Sequence, residues 1–282
     1  MRKDKSILIT GCSSGIGYSA ARILHERGYQ VFATARKAAD VQRLSDEGLT
    51  ALQLYLRDHD SIERAVQQVL EATGGTLDAL FNNGAYGQPG AVEDLATDVL
   101  REQFETNLFG WHELTRQVIP VMRRQGHGRI VQNSSVLGII ALPFRGAYNS
   151  SKYAVEGLTD TLRMELHGSG IHVSLIEPGP IESRFRANAY AKFQEHISIE
   201  GSAFERQYRG AEKRLKKEGP AAPFTLPADA VVKKLIHALE SKNPRARYYV
   251  TFPTYLFGTL RRMVSTGMMD RILRVVSSGE NR

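Results

Sequence analysis

Ser6-Ile7-Leu8-Ile9-Thr10-Gly11-Cys12-Ser13-Ser14-Gly15-Ile16-Gly17 opens on a short apolar run and ends in three glycines spaced G-x-x-x-G-x-G. The run reads as a β-strand, and a helical pattern follows over residues 16–27. A glycine-rich turn between a first strand and its helix brings backbone N–H groups against a pyrophosphate. The helix N-terminus adds a favourable dipole. On this reading Gly11, Ser13, Ser14, Gly15, Ile16 and Gly17 are cofactor-binding candidates. The spacing differs from the common G-x-G-x-x-G, and no Lys-Ser or Lys-Thr follows the last glycine as a P-loop requires. The same residues fit G-x-S-x-G, a hydrolase turn with Ser13 as nucleophile. That chemistry needs an acid and a histidine downstream, and the eight histidines stand in no revealing context.

Outward from this turn, short β-rich runs alternate with longer helical patterns. The strands expected are Ser6–Thr10, Gln30–Ala35, Thr50–Leu56, Ala79–Asn82, Arg129–Ser134 and Val173–Glu177. Helical spacing falls at 16–27, 38–47, 59–73, 97–124 and 147–168. Strands alternating with helices predict βαβ units, a parallel sheet and helices on both faces. After Pro178-Gly179-Pro180 the rhythm changes. Residues 181–226 are polar and helix-prone, with a charge-rich run from Glu205 to Glu218 that Pro220 and Pro223 end. A helix over Ala228–Ser241 and a strand over Tyr248–Thr251 follow.

The 282 residues suffice for a large core without staples, and the 42% hydrophobic content is that of a globular protein. The single cysteine, Cys12, excludes a disulfide framework within one chain and any multi-cysteine metal site. The N-terminal apolar run is too short for a signal core, and no stretch approaches a membrane span. A cytoplasmic protein is the expectation. The net charge of +7 is uneven: residues 1–180 carry −2 and residues 181–282 carry +9. In the basic run at 206–217, Glu212 interrupts the cations, and Glu205 and Glu218 flank it, which argues against nucleic-acid binding.

Two further patterns carry chemistry. The second strand ends in Ala35-Arg36, with no acid to accept the ribose 2′-hydroxyl of NAD. Arg36 can instead fork onto a 2′-phosphate, which favours NADP(H) over NAD(H). Tyr148-Asn149-Ser150-Ser151-Lys152 puts Tyr148 and Lys152 on one helix face. A tyrosine with its ordinary pKa of about 10 is a poor base at neutral pH, and a neighbouring cation would lower it. The strand Ile130–Ser135 ends in hydroxyls 13 residues before Tyr148.

Together these residues resemble the short-chain dehydrogenase/reductase family over residues 5–185. The motif order is T-G-x-x-x-G-x-G at Thr10–Gly17, N-N-x-x at Asn82–Ala85, N-x-x-G at Asn107–Gly110, Ser135, Y-x-x-x-K, and Pro178-Gly179. The resemblance implies a single doubly wound Rossmann domain over 1–282, α/β, with a parallel sheet of about seven strands. It implies hydride exchange between NADP(H) and an apolar aldehyde, ketone or alcohol. Tyr148 would be the general acid or base, and Ser135 would bind the substrate oxygen. Lys152 would hold the nicotinamide ribose and tune Tyr148, and Asn107 would order a water in a proton relay. Asn83, Pro178, Gly179, Ile181 and Ser183 would complete the dinucleotide site. A homodimer or homotetramer is implied as well.

Two departures from the family pattern stand out. N-N-A-G reads Asn82-Asn83-Gly84-Ala85, and Tyr55 stands where an Asp contacts adenine, leaving Asp58 as a substitute. An acyl-thioester ketoreductase and a dinucleotide-sensing protein are the rival readings. Residues 181–226 would cover the substrate, with Phe185, Tyr190, Phe193, Ile197, Ile199, Phe204 and Tyr208 as one apolar wall and Ala141–Phe144 as the other. In the extension at 253–282, Leu256, Leu260, Met263, Val264, Met268, Ile272, Leu273 and Val276 form a helical stripe. Arg261, Arg262, Arg271 and Arg274 lie off it, and Gly267 is expected to break it. This stripe is expected to close the pocket and to bring the protein to membranes.

Overall fold

The computed structural model describes residues 5–278 apart from 218, 220 and 221. Seven strands form one parallel sheet in the order β3-β2-β1-β4-β5-β6-β7. They are β1 Ser6–Ile9, β2 Gln30–Ala35, β3 Thr50–Gln53, β4 Ala79–Asn82, β5 Gly128–Asn133, β6 Ile171–Glu177 and β7 Arg247–Tyr249. The helices are α1 Gly15–Glu26, α2 Ala38–Asp46, α3 His59–Thr73, α4 Thr97–Phe104, α5 Gly110–Gln125 and α6 Gly146–Glu165. Then come α7 Phe185–His196, α8 Glu205–Lys216, α9 Asp229–Glu240, α10 Phe252–Met263 and α11 Thr266–Ser278.

The two-residue period of each strand divides the interior into two cores. Ile7, Ile9, Val31, Ala33, Phe81 and Val131 face α1, α2 and α9. Leu8, Phe32, Leu80 and Ile130 face α3, α5 and the end of α6. Successive side chains of a strand point to opposite faces, so a sheet covered on both sides needs continuous apolar runs. Ile7-Leu8-Ile9 is such a run, buried at all three positions. Strand order reverses between β1 and β4, and the crevice beyond their carboxyl ends is where ligands bind in open α/β sheets.

The structure corrects several boundaries. The third strand stops at Gln53 because the chain turns there toward Asp58, whose carboxylate accepts from the Ser61 N–H and caps α3. The pattern at 97–124 is α4 and α5 separated by a π-helical turn, Glu105–Phe109. The polar segment after 181 holds α7, which sequence periodicity did not reveal, and α8. Glu218 and Pro220 lie outside the described residues. The break in the C-terminal extension falls at Val264–Ser265, and Gly267 sits in the first turn of α11. No helix among the described residues is long and apolar enough to cross a membrane.

Gly110, the last residue of N-x-x-G, owes its identity to packing. A Cβ there would stand 2.1 Å from the Leu56 carbonyl oxygen. Gly110→Ala is expected to lower stability by about 1–3 kcal/mol, the usual cost of overpacking. Gly157→Ala, inside α6 with nothing within 4 Å of a Cβ, is expected to raise it by about 0.5–1 kcal/mol. Urea unfolding of the two variants beside wild type checks both signs.

Candidate active site

The glycine turn keeps its shape because side chains cannot enter it. Gly11 and Gly15 lie in the left-handed region, at φ +73° and +58°. A Cβ on Gly17 would meet the Gly11 carbonyl oxygen at 2.3 Å and Asn83 Nδ2 at 2.6 Å. Ser14 caps α1 without a side-chain hydrogen bond, and the first turn of α1 holds no acid. The leading N–H groups of this helix are therefore open to an anion. Gly15 faces Ser183, whose Cβ lies 2.9 Å from where a Gly15 Cβ would be. Ile181 packs beside the same core as β1.

Asn83 works within the protein. Its Nδ2 donates to the carbonyls of Thr10 (2.9 Å) and Gly11 (3.3 Å), and its Oδ1 accepts from Asn133 Nδ2 (2.9 Å). Thr10 Oγ1 accepts from the N–H groups of Asn83 and Gly84, both at 2.8 Å. Asn83 thus clamps the β1 turn to β4 and β5 through its side chain. Gly84 fits the same tight join: a Cβ there would lie 3.2 Å from Gly11 N and from Leu56 Cδ1. Its carbonyl accepts from Trp111 Nε1 at 2.8 Å. Asp58 Oδ1 accepts from the Ser61 N–H at 3.2 Å and caps α3. Arg36 is exposed at the end of β2, its backbone carbonyl accepting from Gln53 Nε2.

Four other residues converge beyond the carboxyl end of β5. Ser135 begins the turn after that strand, its Oγ accepting from the Leu137 N–H at 3.1 Å. Val136 N–H donates to the Pro178 carbonyl at 2.8 Å, which seats Pro178-Gly179 beside Ser135. Tyr148 and Lys152 lie one turn apart on α6. Asn107 is buried in the π turn, a feature common at functional sites. Its Nδ2 donates to the Tyr86 carbonyl (2.9 Å) and to Ser151 Oγ (3.2 Å), and its Oδ1 accepts from Tyr86 N–H (3.2 Å).

Burial dominates the electrostatics at Tyr148. Burial pushes its phenol up to about 12, outweighing the Ser135 hydrogen bond and the Arg145 charge that pull it down. Burial also pushes the Lys152 amine down to about 7, with Glu156 opposing. Lys152 Nζ donates to the Asn133 carbonyl at 2.8 Å and stands 4.3 Å from the centre of the Trp111 ring. It lies 5.6 Å from the Tyr148 ring centre.

A family profile described as short chain dehydrogenase matches residues 5–193. The chain belongs to the short chain dehydrogenase family. It is 42% identical over 271 residues to the uncharacterized oxidoreductase YbbO of Escherichia coli, covering 96% of this chain and 94% of that one. It is 32% identical over 260 residues to human 17-beta-hydroxysteroid dehydrogenase type 1, covering 87% and 77%. Among solved structures, a single-residue variant of the actinorhodin polyketide ketoreductase with NADPH superposes at a TM-score of 0.71 with 28% identity, covering 89% and 97%. The family makes this protein an oxidoreductase that uses a nicotinamide dinucleotide. The glycine turn and the open α1 N-terminus fit that group's pyrophosphate.

The substrate end differs from the sequence expectation. Phe193, Tyr208, Phe204 and Phe144 form a small core of their own with Ala91 and Ile197. Of the expected aromatic wall, Phe185 packs on Tyr148, their ring centres 5.2 Å apart. The other side of Tyr148 is Leu137, Ile140 and Leu142, covered by Phe257, Leu260, Met269 and Leu273 of the extension. Phe144 therefore leaves the wall, and Leu256, Met263, Met268 and Val276 of the stripe face solvent. Phe257 and Met269 adjoin the expected stripe on its buried side and were not read from the sequence.

Proposed function

We propose that this protein is an NADP(H)-dependent reductase of an apolar aldehyde or ketone. The observation that carries this reading is the placing of buried Ser135 and half-buried Tyr148 together against apolar side chains that include Leu137 and Phe185. The dinucleotide, when bound, supplies the hydride. Ser135 Oγ donates to the substrate carbonyl oxygen, and Tyr148 Oη gives up its proton as charge develops on that oxygen. Lys152 orients the ribose, and with Asn107 it returns the proton to Tyr148. The hydroxysteroid substrate class in the human relative's name is itself apolar. We place the enzyme in the cytoplasm. A dimer through the cleft between α5 and α6, lined by Leu108, Val155 and Leu158, accompanies this reading.

Reduced-nicotinamide absorbance with NADPH and NADH, across straight-chain aldehydes, retinal, a ketosteroid and a ketoacyl thioester, tests the proposal. Turnover confined to thioesters would replace it with an acyl-carrier ketoreductase, and binding without turnover on any substrate would point to a sensor. The cofactor choice rests on Arg36. Arg36→Asp is expected to reverse the preference, lowering kcat/KM for NADPH about tenfold or more by removing the phosphate's fork and adding repulsion. An unchanged NADPH/NADH ratio would remove Arg36 from the site.

A further inference from the structure

We propose that the outer face of α10 and α11, with the basic cleft beside it, is a docking site for an anionic phospholipid surface. At about 100° per residue, Phe252, Leu256 and Met263 fall on one line of α10, opposite the buried Gly258 that presses on the Tyr249 ring. Met263 is 76% exposed. On α11, Met268 and Val275 adjoin each other beyond the buried Met269–Leu273 face, and Val275 is 74% exposed. The hairpin thus has two apolar sides. One covers the site around Tyr148, and the other meets water.

The charge on this hairpin says what covers the second side. Between residues 252 and 278 the chain holds Arg261, Arg262, Arg271 and Arg274 against the single acid Asp270. Flanking α10 is a cleft of about 270 Å³ lined by Lys234, Arg245, Arg247, Tyr249, Tyr255 and Arg262. Glu156, Asp160 and Glu177 engage Arg247 from inside the protein, which leaves Lys234, Arg245 and Arg262 to face an incoming anion. A phosphate group fits this cleft while Phe252, Leu256 and Met263 enter the acyl boundary. Exposed apolar side chains beside arginines are the pattern of helices that lie in a membrane interface. A second copy of the chain would set these same arginines against one another, so self-association through this face is opposed by like charge.

The assignment stands apart from the oxidoreductase reading, and its test needs no turnover. The full chain is floated with phosphatidylcholine vesicles and with vesicles containing about one-third phosphatidylglycerol, at low salt and at about 0.5 M salt. Binding is expected only to the anionic vesicles and only at low salt. Met263→Ser with Val275→Ser, and separately Arg262→Glu with Arg271→Glu, is each expected to cut the bound fraction about tenfold, with unchanged circular dichroism and melting temperature. These side chains are exposed, so folding is retained. Failure of the wild type to float, or equal flotation of the variants, would overturn the proposal. Release by about 10 mM inorganic phosphate at fixed ionic strength would reassign the cleft to free phosphate. A solution mass that drops in the Met263→Ser, Val275→Ser protein would reassign the face to a second copy.

Discussion

Tyr148→Phe is expected to lower kcat by about 10²–10⁴-fold while leaving dinucleotide binding and melting temperature near wild type. The ring is held by Phe185 on one side and by the Leu137, Ile140 and Leu142 wall on the other, and phenylalanine keeps both contacts. The change removes only the hydroxyl and its proton. A group that donates a proton only as the substrate oxygen becomes charged lowers kcat and kcat/KM together when lost. Stopped-flow turnover and dinucleotide titration separate the two effects. Full activity in the variant would mean that another group supplies the proton.

How far this site could be read from sequence follows from the range of each interaction. The strand-turn-helix at Ser6–Gly17 is local, and so is the one-turn spacing of Tyr148 and Lys152 on α6, so both were legible. The two buried faces of β1 follow from its unbroken apolar run. Asn83 is different. Its side chain could face a ligand or the protein, and the choice depends on Asn133, 50 residues away. Tyr148 is a second case. Burial at the site comes from the extension and from α7, and no local pattern weighs that desolvation against a cation. The apolar residues of 185–208 misled for the same reason: Phe193 and Tyr208 look like Phe185 in sequence, but they close on Ala91 rather than on Tyr148.

Lys152→Met is expected to lower kcat/KM at least about 10²-fold and to change how stability depends on pH. Methionine fills much of the same volume but loses the donor to the Asn133 carbonyl and the charge over Trp111. Burial holds the folded amine at about 7, below its ordinary value. Between that value and about 10.5 the unfolded chain binds the proton and the folded chain does not, so stability rises with pH over this window. Wild type should therefore gain on the order of 3 kcal/mol relative to Lys152→Met between pH 7 and pH 10, read from urea midpoints. Tyr148 contributes with the opposite sign only above its unfolded value of about 10, because its raised folded pKa stabilises the protein below that point. Trp111 is the only tryptophan in the chain and lies against the amine. Its fluorescence should titrate near neutral pH in wild type and stay flat in Lys152→Met. A flat wild-type signal with parallel stability curves would mean that the amine keeps its ordinary pKa. Its part in turnover would then rest on the hydrogen bond to Asn133 rather than on a charge poised for exchange.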